Sequence, residues 1–565
     1  MLHLIPKVKT LKINDGFLSE NTVFISTDFK DERLNIAAKN LPQSADGVQV
    51  EFNIQNQDSE LYEITIKEDL ISVNAACVVA AFYAIQTLRQ IFTHSKIPCL
   101  YIKDWPDLKY RGFYHDATRG RILNLNTAKK LIDTMAYYKL NSLQLYVEHV
   151  YEFKELQELN KTTGYLTKEE LSQIDLYAKQ NFIDFIPSLS TFGHMYEILE
   201  QEPFKDLRVL QKNFKNYLFA RMMHHTINPE KPQSIQLVKS LIDQYAPCFS
   251  SEYFNICCDE TFDLKNYKGK TDSKTLYIQF VKQIIAHVKQ KGKKVMMWAD
   301  ILLEYPELIE QIDDDIYFLN WEYEPEPNEQ KIIKFKNLGR TQIVCPGTWS
   351  WYRFCERVEW EEQNISNMAN YAYNHGAFGM LNTNWGDFGH PAPVQLALYG
   401  MVLGAAKSWE HSTELNNTYF AAVDHLLYKQ DGAVAILKQL SLYHSKLEWR
   451  DFVAVKVAFQ YGDKPEIKLS EQDVKDIQNE YKDIMSKINA LPKNEFLSCM
   501  ALSAKAVLVI AEITARIAGY NIERITSTSE FLSEYSKQWL AQSKEKELFL
   551  VTEVFEILEA KSKEI

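Results

Sequence analysis

The sequence predicts an α/β protein: a (β/α)8 TIM barrel with a small N-terminal α/β domain and a C-terminal helical domain. Three observations lead there. The chain has 565 residues, too many for one hydrophobic core. Its middle alternates short β-rich runs with helical stretches, which implies a parallel sheet. After about residue 408 the β signal fades and a helical period takes over.

Residues 1–106 carry the small domain. "LYEITIKEDLISVNA" gives two short strands around a polar turn, and "ACVVAAFYAIQTLRQIF" gives an apolar-striped helix. Pro106, in "IKDWPDLKY", marks the junction. Residues 107–407 hold eight strand candidates: "YRGFYHDA", "SLQLYVEH", "DFIPSLS", "YFNICC", "KVMMWAD", "IYFLNW", "QIVCPGT" and "FGMLNTNW". Each is followed by a helix candidate, such as "NTAKKLIDTMAYYK" or "SKTLYIQFVKQIIAHVKQKG". Eight units over roughly 250 to 300 residues fit a (β/α)8 barrel. A doubly wound open sheet would alternate similarly, but no GxGxxG or Walker A loop supports it. Residues 408–565 form the helical domain, with "SEQDVKDIQNEYKDIMSKINAL" and "SCMALSAKAVLVIAEITARIAGY" as its strongest helices.

Composition narrows the function classes. Hydrophobic residues at 46% and charged residues at 24% are ordinary for a globular protein. The net charge of -12, without a basic stripe, disfavours a nucleic-acid partner. We expect no membrane segment, because no span of about 18 apolar residues stands out. No signal peptide is visible at the N-terminus, so the expected location is cytoplasmic. Eight scattered cysteines fit a reduced compartment, and no pair of CxxC motifs suggests structural zinc. The neighbours Cys257 and Cys258 read as small apolar barrel-strand residues facing opposite ways. No metal and no cofactor is expected.

In such a barrel the active site lies at the C-terminal strand ends. The first strand leads to Asp116 and Arg119, the second to Glu148 and His149, and the third to His194. The fourth delivers Asp259 and Glu260, and the fifth Trp298 and Asp300. The sixth ends at Trp321, Glu322 and Tyr323. The seventh leads to Trp349, Trp351 and Tyr352, and the eighth to Trp385, Asp387 and His390. Taken singly, each has a bland reading: Asp116 with Arg119 is a salt bridge, a strand-end Trp is a core plug. Jointly, polar or aromatic residues end every strand while the strand starts are apolar.

That set suits a sugar. Tryptophan faces hold the apolar faces of a pyranose, and charged groups bind its hydroxyls. Glycoside hydrolysis normally uses two carboxyl groups about 5 to 5.5 Å or about 6.5 to 9.5 Å apart. Consecutive Cα atoms lie only about 3.8 Å apart, so Asp259 and Glu260 can hardly flank one sugar from opposite faces. One of them can be the acid. The nucleophile then comes from another strand or from the substrate itself.

Over about residues 60 to 400 the sequence resembles glycoside hydrolase family 20, the β-N-acetylhexosaminidases. The resemblance rests on the Asp-Glu pair in "FNICCDETFDL", with "HDATRG", "FGH", "MMWAD" and "TNWGDFGH" in order around it. It is nearest to the bacterial exo-acting branch with "FGH" and "WGD" motifs. Such a resemblance implies removal of terminal β-linked N-acetylglucosamine or N-acetylgalactosamine from an oligosaccharide or glycoconjugate. It also implies substrate assistance, a route general to this family, with the 2-acetamido oxygen as nucleophile and an oxazolinium intermediate. Glu260 is then the acid and base, and Asp259 orients the acetamido group. Arg119 binds ring hydroxyls, His194 supports Glu260, and Asp387 binds outer hydroxyls. Trp298, Trp321 and Trp385 line the pocket, and Tyr323 or Tyr352 holds the acetamido oxygen.

Four departures stand out. Cys257 and Cys258 replace a common Gly-Gly, and Asp387 replaces a common Glu. The acidic residue before "PGH" is absent from "SLSTFGH". Glu148 and His149 stand where many members have an Asp that pairs with the histidine. Two other readings compete. A metal-dependent barrel hydrolase could draw on His115, His149, His194 and His390, although no HxH or HExxH motif is present. A non-catalytic glycan-binding module would need a decayed site. The helical domain could rim the site or pair two copies, which leaves a homodimer open.

Overall fold

The structure is a computed structural model, described for residues 2–211, 218, 219, 222, 224–269 and 271–564. Its N-terminal sheet has six strands: β1 Thr10–Phe17, β2 Val23–Ile25, β3 Val48–Ile54, β4 Tyr62–Ile66, β5 Leu70–Ala75 and β6 Pro98–Asp104. They lie in the order β1-β6-β4-β5-β3-β2. Alternation drives the layer: Tyr62, Ile64 and Ile66 of β4 and Ile71, Val73 and Ala75 of β5 are buried. The helix Val78–Ile91 covers them, burying Phe82, Ile85 and Leu88.

Eight strands close a parallel barrel: β7 Tyr110–Asp116, β8 Ser142–Val147, β9 Asp184–Leu189, β10 Tyr253–Asn255, β11 Lys294–Trp298, β12 Tyr317–Trp321, β13 Gln342–Cys345 and β14 Gly379–Asn384. All eight sequence runs are strands, and helices pack outside them. Barrel strands are buried on both faces, so they read as continuous apolar runs. The interior is filled by side chains including Tyr110, Tyr114, Tyr146, Met296, Trp298 and Leu381. Closure depends on Gly379, where any Cβ would fall 2.1 Å from the Tyr110 carbonyl oxygen.

Two strongly basic side chains tie the small domain to the barrel. Buried Arg111 binds Glu60 at 2.9 Å and the Tyr83 hydroxyl at 2.7 Å. Buried Lys139 pairs with Asp104 at 3.3 Å, whose other oxygen accepts from the Trp409 indole at 3.0 Å. The last barrel helix, Leu398–Trp409, runs past the expected break at residue 407.

The C-terminal helices pack around Glu495–Ile517. This 23-residue helix is long and apolar enough to cross a membrane by composition, with a window hydropathy of 1.9. That corrects the expectation that no such span exists. Within the fold 83% of the window is buried, because the helices Glu471–Asn489, Thr528–Gln542 and Phe549–Glu564 surround it. The domain docks on the barrel through the Trp449 indole, which donates to the Phe388 carbonyl at 2.7 Å, and through Arg353, which donates to the Ser441 carbonyl at 2.6 Å.

Candidate active site

Past β7 the chain turns at Asp116, which is fully buried. Its Oδ1 accepts the amides of Thr118 at 3.0 Å and Arg119 at 3.2 Å, and Oδ2 accepts Gly386 N–H at 3.0 Å. Arg119 pairs with Asp116 at 2.9 Å, Asp387 at 3.1 Å and Glu148 at 3.6 Å. Its guanidinium also lies over Tyr146 and Trp385, 5.0 Å and 5.3 Å from the ring centres. Burial works against the charge on Arg119, but Asp387 and Asp116 outweigh it and hold the guanidinium ionised. The salt-bridge reading of Asp116 and Arg119 is therefore correct, and the same arginine also reaches the cavity.

Past β10 the sequence run "YFNICC" leaves the strand sooner than its composition suggests. The strand ends at Asn255, and Cys257, Cys258 and Glu260 take left-handed φ values of 57°, 68° and 49°. So the cysteines are not strand residues. Cys257 still points into the barrel interior and Cys258 into the outer core. Burial pushes the Cys257 thiol up to about 12, so it is unreactive. Left-handed backbone costs about 1–2 kcal/mol per non-glycine residue, and such strain gathers at functional sites. Here it presents Asp259 and Glu260 side by side. Gly193 of "FGH" allows the approach, since a Cβ there would lie 2.4 Å from the Asp259 carbonyl oxygen.

His194 sits between the two acids. Its Nε2 lies 3.2 Å from Asp259 Oδ2 and 3.3 Å from Glu260 Oε2, and its Nδ1 lies 3.9 Å from Glu148 Oε1. Burial opposes the imidazolium, but Asp259 and Glu260 win and raise His194 to about 10. The neighbouring carboxylates differ in setting: the Asp259 side chain is 11% exposed, whereas that of Glu260 is 30% exposed. Asp259 Oδ1 accepts from no described residue. Glu260 N–H donates to Asp300 Oδ2 at 3.0 Å. Burial first, then Asp259 and Glu260, push the Asp300 carboxyl up to about 8.

Aromatic rings form the other walls. Trp385 packs 5.9 Å from Trp298, and its indole donates to the Tyr323 hydroxyl at 2.8 Å. Tyr323 stacks on Trp321 at 5.1 Å and 16°. Tyr352 lies 5.5 Å from Phe388 and under the Arg450 guanidinium. The cavity holds about 810 Å³, within the ~300–1,000 Å³ that takes a sizeable ligand.

Residues 108–420, more than half the chain, match the family profile of the glycosyl hydrolase family 20 catalytic domain, and residues 3–105 match that family's domain 2. The chain belongs to glycosyl hydrolase family 20. A Beta-hexosaminidase of Porphyromonas gingivalis is 25% identical over 336 residues, covering 50% of this chain and 43% of the relative. A Beta-hexosaminidase of Vibrio furnissii is 22% identical over 349 residues, covering 54% and 55%. The chain thus spans about half the length of these curated relatives. Among solved structures, the Flavobacterium johnsoniae chitobiase covers 99% of each chain with a TM-score of 0.62 and 17% identity. A Vibrio harveyi exo beta-N-acetylglucosaminidase covers 76% of this chain and 77% of its own, with a TM-score of 0.61 and 18% identity. At such identities these likenesses show the fold.

In this family 20 chain, the cavity is walled by Arg119, His194, Asp259 and Glu260 on the polar side. Trp298, Trp321, Tyr323, Tyr352 and Trp385 supply the rings, with Asp387 and His149 at the edge. Glu148 does not line it. It is buried beneath, where Tyr146 donates to it at 2.9 Å and it meets Arg119 and His194. Glu322 turns away to Lys331, and the Trp349 indole donates to the Tyr323 carbonyl. Two groups among the described residues could hold a metal by ligand spacing. One is Asp107, Glu410 and His411, already neutralised by Lys9, which pairs with both acids. The other is His194, Asp259 and Glu260, where the imidazolium supplies the positive charge. Sequence reasoning missed Phe262 and the rim from the helical domain, Val453, Lys456, Phe549 and Leu550. Only Phe262, two residues past Glu260, carried a local signal.

Proposed function

We propose that this chain is a retaining exo-β-N-acetylhexosaminidase that cleaves terminal β-linked N-acetylglucosamine or N-acetylgalactosamine by substrate assistance. The observation that carries the reading is the pairing of Asp259 and Glu260 on one side of a tryptophan-walled cavity, held by one histidine. The acetamido oxygen forms a bond to C1 as the C1–O bond to the leaving group breaks. Glu260 gives its proton to that leaving oxygen. Asp259, whose Oδ1 accepts from no described residue, accepts the acetamido N–H and stabilises the charge that develops there. Water then attacks C1, Glu260 takes its proton, and the ring of the oxazolinium opens.

Tyr323 is the better placed of the two tyrosines for the acetamido oxygen. Its hydroxyl accepts from the Trp385 indole, which fixes it inside the tryptophan wall on which its ring stacks. Tyr352 stands at the other end, where Asp387 first among charges acts on it after burial. Eight free cysteines, seven of them buried, support a reducing compartment such as the cytoplasm.

Aryl β-N-acetylglucosaminide and β-N-acetylgalactosaminide hydrolysis tests the reading. Glu260→Gln should nearly abolish turnover of unactivated glycosides, and Asp259→Asn should cost about 3 kcal/mol of transition-state stabilisation. A thiazoline mimic of the cyclic intermediate should inhibit strongly. Normal activity in either variant would overturn the assignment, and inactivation by chelation with recovery on metal addition would favour the metal-dependent reading.

A further inference from the structure

Glu260 and Phe262 are joined by a tight turn. Thr261 has φ −70° and ψ 54°, and Phe262 N–H donates to the Glu260 carbonyl at 2.6 Å, which makes an inverse γ-turn. Thr261 is 3% exposed, whereas Phe262 is 41% exposed. The turn therefore buries the middle side chain, and the two flanking ones line the cavity.

The phenyl ring is also fixed from behind. The next residue, Asp263, is fully buried, accepts Thr226 N–H at 3.1 Å and lies 3.8 Å from His225 Nε2. The His225 ring lies nearly parallel to that of Phe262, at 23° and 6.1 Å. A single exposed phenylalanine on open surface needs no explanation. One mounted rigidly in a cavity wall, two residues from the proton donor, does.

We propose that Phe262 is a specificity-determining residue: its open face is the platform for a carbohydrate leaving group. The inference rests on the functional reading above. Glu260 must reach the oxygen of the leaving group, so that group leaves the tryptophan pocket past Glu260. The next wall in chain order is Phe262. A pyranose presents a C–H face that lies flat on an aromatic ring, and a rigid ring contributes contact area with little ordering to be lost.

The test compares two substrates with the same terminal sugar. One is the β-1,4-linked N-acetylglucosamine disaccharide, whose leaving group is a sugar. The other is the β-glycosyl fluoride, whose leaving group has no ring. In Phe262→Ala the ratio of kcat/KM for disaccharide over fluoride should fall about tenfold from wild type, mainly through KM on the disaccharide. Phe262→Trp should restore the ratio. An unchanged ratio in Phe262→Ala, including an equal loss on both substrates, would overturn the proposal, because a purely structural role moves both together. Melting temperatures of both variants separate misfolding from the specificity effect. A wild type inert on both substrates would remove the functional reading itself, and this inference with it.

Discussion

The backbone amide of Glu260 donates to Oδ2 of Asp300 across 3.0 Å. Glu260 is held at φ 49°, a conformation that needs support from its surroundings. Asp300 supplies it from the neighbouring barrel strand end. Asp300→Ala should release the amide and let the Glu260 carboxyl drift. A misplacement of about 1 Å can cost around 100-fold in rate, so kcat should fall about 10- to 100-fold with little change in KM. Asp300→Asn keeps an acceptor and should retain most activity. Removing the carboxyl also changes the pH response. In the fold the Asp300 carboxyl holds its proton up to about 8, while in the unfolded chain it ionises near 3.8. Its contribution therefore weakens stability as pH rises between these values. Denaturant titrations at pH 4 to 8 should show a shallower decline in Asp300→Asn than in wild type.

His194 also makes stability fall as pH rises, but through ion pairing rather than burial. Its folded value, about 10, is above the ordinary 6.5. The stability it contributes is full below about pH 6.5 and is lost as pH rises through about 10. His194→Gln should flatten the stability profile across that window. It should also lower kcat, because Asp259 and Glu260 then face each other without the imidazolium that lies 3.2 Å and 3.3 Å from them. Thermal melts in a pH series and a kcat profile on an aryl glycoside check the two halves separately.

Much of this arrangement was legible in the sequence, for a physical reason. Parallel barrel strands are buried on both faces, so each appears as an apolar run, and the first polar residues after it mark the catalytic rim. Arg119, Asp259, Glu260 and Trp385 could be placed that way. Cys257 and Cys258 could not, because cysteine is compatible with a strand and nothing local announces three left-handed residues in four. Glu148 looked like a cavity residue, since strand-end position does not say whether a carboxylate points up or is sealed under an arginine. The rim from Val453, Lys456 and Phe549 depends on how the helical domain docks, which is long-range packing and leaves no periodic trace. The helix Glu495–Ile517 shows the same limit, since composition cannot distinguish a span buried in protein from one buried in lipid.

The Arg119 guanidinium faces three carboxylates, Asp116, Glu148 and Asp387, at 2.9 Å, 3.6 Å and 3.1 Å. A lysine keeps the charge but presents a point donor without the planar fork. Arg119→Lys should therefore raise KM and lower kcat/KM at least about tenfold, roughly 1.4 kcal/mol. It should also lower the melting temperature, because Asp116 and Glu148 are almost wholly buried and would be left under-compensated. Retained kcat/KM with retained stability would show that the fork is dispensable.

Glu356 gives a stability prediction remote from the cavity. It is fully buried, and neither carboxyl oxygen meets a hydrogen-bond partner from another described residue. Burial pushes it up to about 8 from an ordinary 4.5, and Arg353 draws it down only in part. In the unfolded chain it ionises above about 4.5, but in the fold it stays neutral to about 8. Stability therefore falls as pH climbs through that range, by at most about 1.4 kcal/mol per pH unit. Glu356→Gln keeps the shape and removes the ionisation. The variant should match wild type near pH 4 and melt higher than wild type at pH 8, with the gap opening steadily between. A gap of the opposite sign at pH 8 would mean that the Glu356 carboxylate is ionised and paired in the fold.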